Sequence, residues 1–240
     1  MKMKNKIISI TILFLLMATV GFAQNHSSWS RYPLKIGIKG KKNSWFNDPN
    51  EKGFTIHSVN FTAGYYSPEM DYWNNTYLPS KDITETFGGN LAVGANITFF
   101  LPANFRTRVG ASIWSGEVKG TSGSSVDGLK IGFTRFSLGF FYAPENISLN
   151  GFQPYLGVEV QENLIKNTYN INGSSIIQQG NDISFAPVFG LDRSFGHFIC
   201  GLEVKYNLGN YTQEEDNEVI LEHKVSVTGA EVSLSIGYKF

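Results

Sequence analysis

The last nine residues constrain this chain more than any other stretch. Val232, Leu234, Ile236, Tyr238 and Phe240 fill every second position, and Ser233, Ser235, Gly237 and Lys239 fall between them, with Glu231 just before. Successive strand residues point to opposite faces, so this is a strand with one oily face and one polar face. A soluble barrel turns the oily face inward, whereas a membrane barrel turns it out to lipid and keeps the polar face in the lumen. Half-buried strands of sandwiches also alternate, so the rest of the chain has to decide between the two.

The N-terminus bears on that choice. Lys2, Lys4 and Lys6 precede an apolar run from Ile7 to about Val20, and Gly21-Phe22-Ala23 follows with small residues at both cleavage-site positions. This is the pattern of a secretory signal peptide over 1–23, cut between Ala23 and Gln24. No cysteine follows, which excludes a lipoprotein. Beyond the leader no apolar run approaches the ~18 residues of a membrane helix, so a spanning mature chain must span as a closed barrel. With the leader's three lysines removed, 17 basic groups stand against 20 acidic ones, and no basic patch marks a nucleic-acid footprint. The single Cys200 excludes an internal disulfide framework and a cysteine-based zinc site. Aromatics at 14% together with 25 glycines suit twisted strands with aromatic girdles.

Residues 24–53 are polar and rich in turn formers, and read as an N-terminal periplasmic segment. The barrel domain then covers 54–240 in eight strand-like segments. These are about 54–66, 88–100, 105–118, 129–142, 153–164, 182–192, 198–210 and 224–240. In the first, Val59, Phe61, Ala63 and Tyr65 face out; in the second, Leu91, Val93, Ala95, Ile97 and Phe99; in the third, Val109, Ala111 and Ile113. Phe136, Leu138, Phe140 and Tyr142 face out of the fourth. Ile131 and Phe133, upstream of them, have the opposite parity, which predicts a bulge near Thr134. Leu156, Val158 and Val160 face out of the fifth, and Leu202, Val204 and Tyr206 out of the seventh. Pro187 in the sixth conflicts with a closed ladder. Connections 101–104, 143–152 and 193–197 are short, while polar loops 67–86, 119–128, 165–181 and 211–223 are longer. That is the asymmetry of periplasmic turns and extracellular loops. Phe99, Phe105, Phe140, Tyr142, Phe152, Phe195, Phe198, Tyr238 and Phe240 gather at the short-turn end as a girdle.

The layout over 54–240, with the terminal Phe240, the aromatic Tyr238 two before it and the apolar alternation upstream, resembles the small eight-stranded outer-membrane barrels that include the OmpA-type transmembrane domain, OmpX and OmpW. The resemblance implies an all-β, antiparallel, up-and-down transmembrane barrel in the outer membrane of a Gram-negative bacterium. It implies outer-membrane lipid as the surrounding partner, and recognition of Val232, Leu234, Ile236, Tyr238 and Phe240 by the barrel-assembly machinery. Functions across that family run from anchoring and adhesion to passage of small apolar molecules, so the fold does not select one.

By parity Arg135, Glu159, Glu203, Lys205 and Glu231 face the lumen near mid-strand, with Arg106 and Arg108 nearer the short-turn end. Eight strands leave an interior just wide enough for side chains to fill. Unpaired charges there are costly, so these should pair into a network that plugs the barrel, with Arg135 and Glu159 on neighbouring strands. A gated polar pathway is the alternative reading of these charges, and with it a narrow transport barrel that passes small solutes or moves apolar ones laterally to the membrane. A soluble secreted barrel of the lipocalin type is a third, and it requires apolar residues inside. Catalysis at the extracellular rim would need His223 with Glu222 and Ser226, which alternate to opposite faces; His57 and His197 fall at the other end. The acidic run Glu214, Glu215, Asp216 and Glu218 matches no EF-hand spacing. No catalytic residue, metal site or cofactor is expected, and the expected role is structural, anchoring or surface interaction. The partners of the extracellular loops are not specified by the sequence.

Overall fold

A computed structural model of the chain describes residues 54–120, 126–144, 146–171, 173–212 and 224–240. The leader with its Ala23–Gln24 junction, the segment 24–53, the acidic run and the Glu222–His223 pair lie outside those residues. The strands are β1 (Thr55–Pro68), β2 (Asn90–Leu101), β3 (Phe105–Lys119), β4 (Gly128–Tyr142), β5 (Gln153–Ile171), β6 (Ser174–Phe195), β7 (Phe198–Asn207), β8 (Asn210–Thr212), β9 (Lys224–Ser226) and β10 (Gly229–Lys239). Eight of them close one antiparallel barrel in the order β1-β10-β7-β6-β5-β4-β3-β2, while β8 and β9 pair separately. Each barrel strand lies beside its chain neighbour, and β10 closes the ring on β1, with Ser58 opposite Lys239 and Pro68 opposite Gly229. This is the all-β, eight-stranded up-and-down barrel that the alternation predicts.

The wall is apolar outside. Phe61, Leu156, Val158, Phe185, Phe189, Leu202, Val204, Val232, Leu234 and Ile236 are all exposed. The girdle forms at the short-turn end, where Phe105 stacks on Phe140 at 5.0 Å and Tyr238 meets Phe240 edge-on at 5.1 Å. Phe99 keeps its outward parity but is buried under the Phe54 ring, 5.1 Å away. The turn between β2 and β3 is tight because Ala103 and Asn104 both adopt left-handed backbone, at φ 60° and 64°.

Four expectations are corrected. The bulge near Thr134 is absent: β4 pairs with β3 and β5 without a shift from Gly128 to Tyr142. Leu129, Ile131 and Phe133 therefore point inward, and all three are buried. The loop 165–181 is instead a continuous hairpin, with β5 and β6 paired from Gln153–Asp192 up to Ile171–Ser174. The expected eighth strand, 224–240, is interrupted after Ser226, and only β10 belongs to the barrel.

The fourth correction concerns 67–86, which is no exposed polar loop. A π-helical turn, Trp73–Tyr77, runs into a short helix, α1 (Leu78–Ser80), and both sit in the barrel mouth. Trp73 and Leu78 are 0% exposed. They pack with Tyr66, Trp114, Leu129, Ile131, Phe133, Ile165 and Tyr169 in one apolar cluster. A side-chain clip holds the segment's ends together: Asn74 Nδ2 donates to the Phe87 carbonyl at 2.9 Å, and Phe87 N donates to Asn74 Oδ1 at 2.7 Å. Burying each large apolar side chain here contributes ~1.5–3 kcal/mol, which explains why so aromatic a segment does not stay in water.

Pro187 also finds its place. Phe185 and Leu208 exchange both backbone bonds, at 3.0 and 2.7 Å. Two residues on, Pro187 directs its nitrogen to the same side, where it has no hydrogen to give. The β6–β7 ladder lapses there and resumes at Val188–Lys205 in the same register. Two register pairs, Ala186–Asn207 and Pro187–Tyr206, are missing, and the ring still closes.

Candidate functional site

Alternation aims the charged residues into the lumen, where they meet across it as well as along the wall. Arg135 reaches from β4 to Glu231 on β10 at 2.6 Å. Glu231 also meets Lys205, its register partner on β7, at 3.1 Å. Lys205 lies 3.7 Å from Glu159 on β5, Glu159 2.7 Å from Arg108 on β3, and Arg108 2.6 Å from Glu203 on β7. Three cations and three anions thus form one unbroken chain. Every member is buried or nearly so, Glu159 at 2% exposure. The strand-neighbour pairing of Arg135 with Glu159 does not occur. The β4–β5 register sets Arg135 opposite Asn163, and Glu159 opposite Gly139 four residues lower.

Aromatic faces complete the shell. The Arg135 guanidinium lies 3.9 Å from the Tyr66 ring centre, and that of Arg108 lies 4.4 Å from Phe141. Such contacts matter more where water is excluded. Tyr155 donates to Glu203 at 2.8 Å. Gly190 makes that possible, since a Cβ at that position would overlap the Tyr155 ring. Net stability from a buried network of this kind is small, because desolvation offsets most of the Coulomb attraction. What it supplies is a fixed arrangement of paired side chains spanning the lumen.

Arg106 stands apart at the short-turn end. It pairs with Asp192 at 2.8 Å and donates to Gln153 at 2.7 Å, beside a polar vestibule of about 20 Å³ lined by Ser58, Asn60, Asn96 and Thr98. A space of that size holds about one water. Asn60 and Asn96 face each other across it, joined by a 2.9 Å bond. Asp192 escaped the sequence reading because Pro187 obscured the phase of β6, although Asp192 shares parity with Gly190 and Val188. Trp114 was legible by the same rule, sharing the inward phase of Arg108 and Ser112.

Above the charges the lumen turns apolar. Tyr66 caps Arg135 and donates to the Val227 carbonyl. Trp114 stacks on Phe133 at 4.9 Å, and Trp73 meets Tyr77 at 5.2 Å. Tyr77 lies outside the wall strands, and burial pushes its phenol up to about 12, with nearby Tyr72 adding to the shift. The interior is therefore occupied at two heights, by ion pairs in the middle and by aromatic rings at the mouth.

Buried His57 shares a 2.9 Å contact with Ser58 Oγ, and its ring lies edge-on to Phe100. His197 stacks on Tyr238 at 5.4 Å. Among the described residues no three His, Cys, Asp or Glu side chains converge as metal ligands.

An apolar outer wall around a charged, filled lumen inverts the polarity of a soluble barrel, and that inversion defines the class: a small eight-stranded barrel built to sit in lipid. It also counts against the lipocalin-type alternative. No protein-family model matches the chain, and no curated protein matches it. Solved structures of similar fold include Neisserial surface protein A, at 14% identity over 79% of this chain and 100% of that one, TM-score 0.46. OprG, an outer membrane protein from Pseudomonas aeruginosa, is 15% identical over 79% and 97%, TM-score 0.48. Ail, the attachment invasion locus protein of Yersinia pestis, is 13% identical over 79% and 99%, TM-score 0.42. All are distant in sequence, and the function argued for this chain rests on its own residues.

Proposed function

We propose that the chain is an integral outer-membrane barrel with a closed lumen, acting through what it anchors and displays rather than through what it passes. The observation that carries this is the unbroken Arg135–Glu231–Lys205–Glu159–Arg108–Glu203 chain across the interior, capped by Trp73, Tyr66 and Trp114. A solute would have to break paired, desolvated charges, each break costing about 3–5 kcal/mol, and then displace the aromatic plug. The role is structural, anchoring or surface interaction, presented by the β5–β6 hairpin where it rises past the end of β7.

In this proposal the short turns are periplasmic, and outer-membrane lipid covers the wall. Val232, Leu234, Ile236 and Tyr238, exposed along β10, and Phe240 after it form the signal read by the barrel-assembly machinery. Planar-bilayer recording tests the closed lumen. The purified chain should insert and stay electrically silent; steady single-channel steps from the wild type would overturn the closure. A heat-modifiability gel on fractionated cells tests the membrane placement separately. The unboiled band should shift and lie in the outer-membrane fraction, and an unshifted soluble band would overturn that placement.

A further inference from the structure

The outer wall carries a feature that the sealed lumen does not use. On the face of β4, β5 and β6 a groove of about 230 Å³ opens between Thr134, Leu164, Lys166, Gln179 and Asn181. Register explains it. Thr134, Leu164 and Asn181 form one outward rung, and Gly132, Lys166 and Gln179 the next outward rung above. Gly132 adds no side chain to that outer face, and a Cβ there would have its nearest neighbours at 3.8 Å. The space exceeds severalfold the ~30 Å³ that one water occupies in the liquid.

Its height on the wall is informative. Below it come Phe136, Glu162 and Ile183, and then Leu138, Val160 and Phe185, all three exposed members of the apolar band. The groove therefore sits where the oily wall gives way to polar residues. Its apolar member, Leu164, lies on the lower rung, and its cation lies on the upper. Lys166 is exposed and has no ion pair among the described residues. Lys130, the next outward residue above Gly132, instead faces Glu117 across the β3–β4 ladder.

We propose that this groove holds the phosphorylated headgroup of an outer-leaflet lipid. The Lys166 ammonium and the Gln179 and Asn181 amides take the phosphate, and the acyl chains run down from Leu164 over Ile183 towards Phe185, alongside the Glu162 carboxylate. The proposal rests on the outer-membrane placement above. An amine at the polar edge of an apolar wall is the chemistry by which a protein retains an anionic amphiphile. An ammonium bound to phosphate forms charge-assisted hydrogen bonds, the stronger kind.

Native mass spectrometry of the folded barrel in non-ionic detergent tests it. The probes are phosphatidic acid and diacylglycerol with the same acyl chains, which differ only in the phosphate. The wild type should retain phosphatidic acid with about tenfold preference. Lys166→Gln should abolish that preference, and Gly132→Trp, which fills the groove, should reduce binding of phosphatidic acid. Lys119→Gln, which removes an exposed lysine outside the groove, should leave the preference intact. Equal retention of both lipids by the wild type, an unchanged preference in Lys166→Gln, or an equal loss in Lys119→Gln would each overturn the proposal. A heat-modifiability gel on the same samples keeps the two ideas apart. A heat-modifiable barrel with no phosphate preference sinks the groove alone, whereas a soluble, unshifted protein sinks the membrane placement beneath it.

Discussion

Leu234 offers the sharpest test of which side of the wall is lipid. It sits midway along the outward set of β10, Ala230 to Tyr238, and is 64% exposed, flanked by Ala63 on β1 and Leu202 on β7. A strand rises ~3.4 Å per residue and tilts by about 40° in such barrels, so Leu234 lies roughly 10 Å from either end of that set, near the middle of an apolar band ~25 Å tall. Leu234→Lys should therefore cost about 2–4 kcal/mol, while Tyr238→Lys, at the girdle, should cost about 0–1 kcal/mol. A soluble barrel predicts no such gap between the two variants, because replacing an exposed Leu by Lys in water is close to neutral. The assay is reversible denaturant unfolding of the chain folded into phospholipid vesicles, with both variants compared at equal slope. A Leu234→Lys cost below about 0.5 kcal/mol, within the range of ordinary surface substitutions, would refute the lipid-facing assignment, and a stabilisation would refute it more strongly.

The ion chain predicts asymmetric costs. Glu231→Leu alone strands Arg135, whose ion pair it is, and should destabilise by about 3–5 kcal/mol, whereas Glu231→Leu combined with Arg135→Met should recover much of that. The same unfolding assay reads both variants, and equal losses in the two would argue that the charges are not coupled. The plug predicts an alkaline transition. The phenol of Tyr77 ionises at about 12 in the folded chain against about 10 unfolded. The neutral form is the one folding favours, so its contribution is fully present below pH 10 and is lost as pH rises through 12. Phenolate absorbance should show a late-titrating tyrosine that disappears in Tyr77→Phe, and an unchanged titration curve in that variant would reject the buried placement.

How much of the fold is legible in the sequence depends on contrast between the two faces of each strand. On β1, β2, β7 and β10, and on the short-turn halves of β3 and β5, one face is oily and the other is mainly Ser, Asn, Thr, Gly or charge, so parity alone placed Phe61, Val93, Leu202 and Leu234 outside, and Arg108, Glu159 and Lys205 inside. Which cation meets which anion was not legible. Pairing across a lumen depends on the stagger of strands that are not neighbours, and no local spacing records it. The plug was invisible for a different reason. Residues 67–86 alternate with neither helical nor strand period, and the aromatic surface that holds Trp73 and Leu78 comes from Trp114, Phe133, Ile165 and Tyr169, up to about a hundred residues away.

The missing bulge on β4 shows what a phase slip can mean in such a barrel. Below the slip Phe136, Leu138 and Phe140 are the oily set and face out; above it Leu129, Ile131 and Phe133 are the oily set and face in. The backbone has not shifted by a residue; the surroundings have changed. Neighbouring strands do the same on matching rungs. On β3 the oily phase passes from Ile113, outward, to Trp114, inward, and Ile113 pairs with Thr134. On β5 it passes from Val160, outward, to Ile165, inward, across Leu164, which pairs with the same Thr134. A true bulge would shift the register of one strand against its neighbours, and none of these pairs is shifted. Three strands that exchange phase at one height therefore trace the line where the outer face loses its oily residues and the interior gains them. On that line sits the groove of Lys166, at the level where an anionic headgroup would lie.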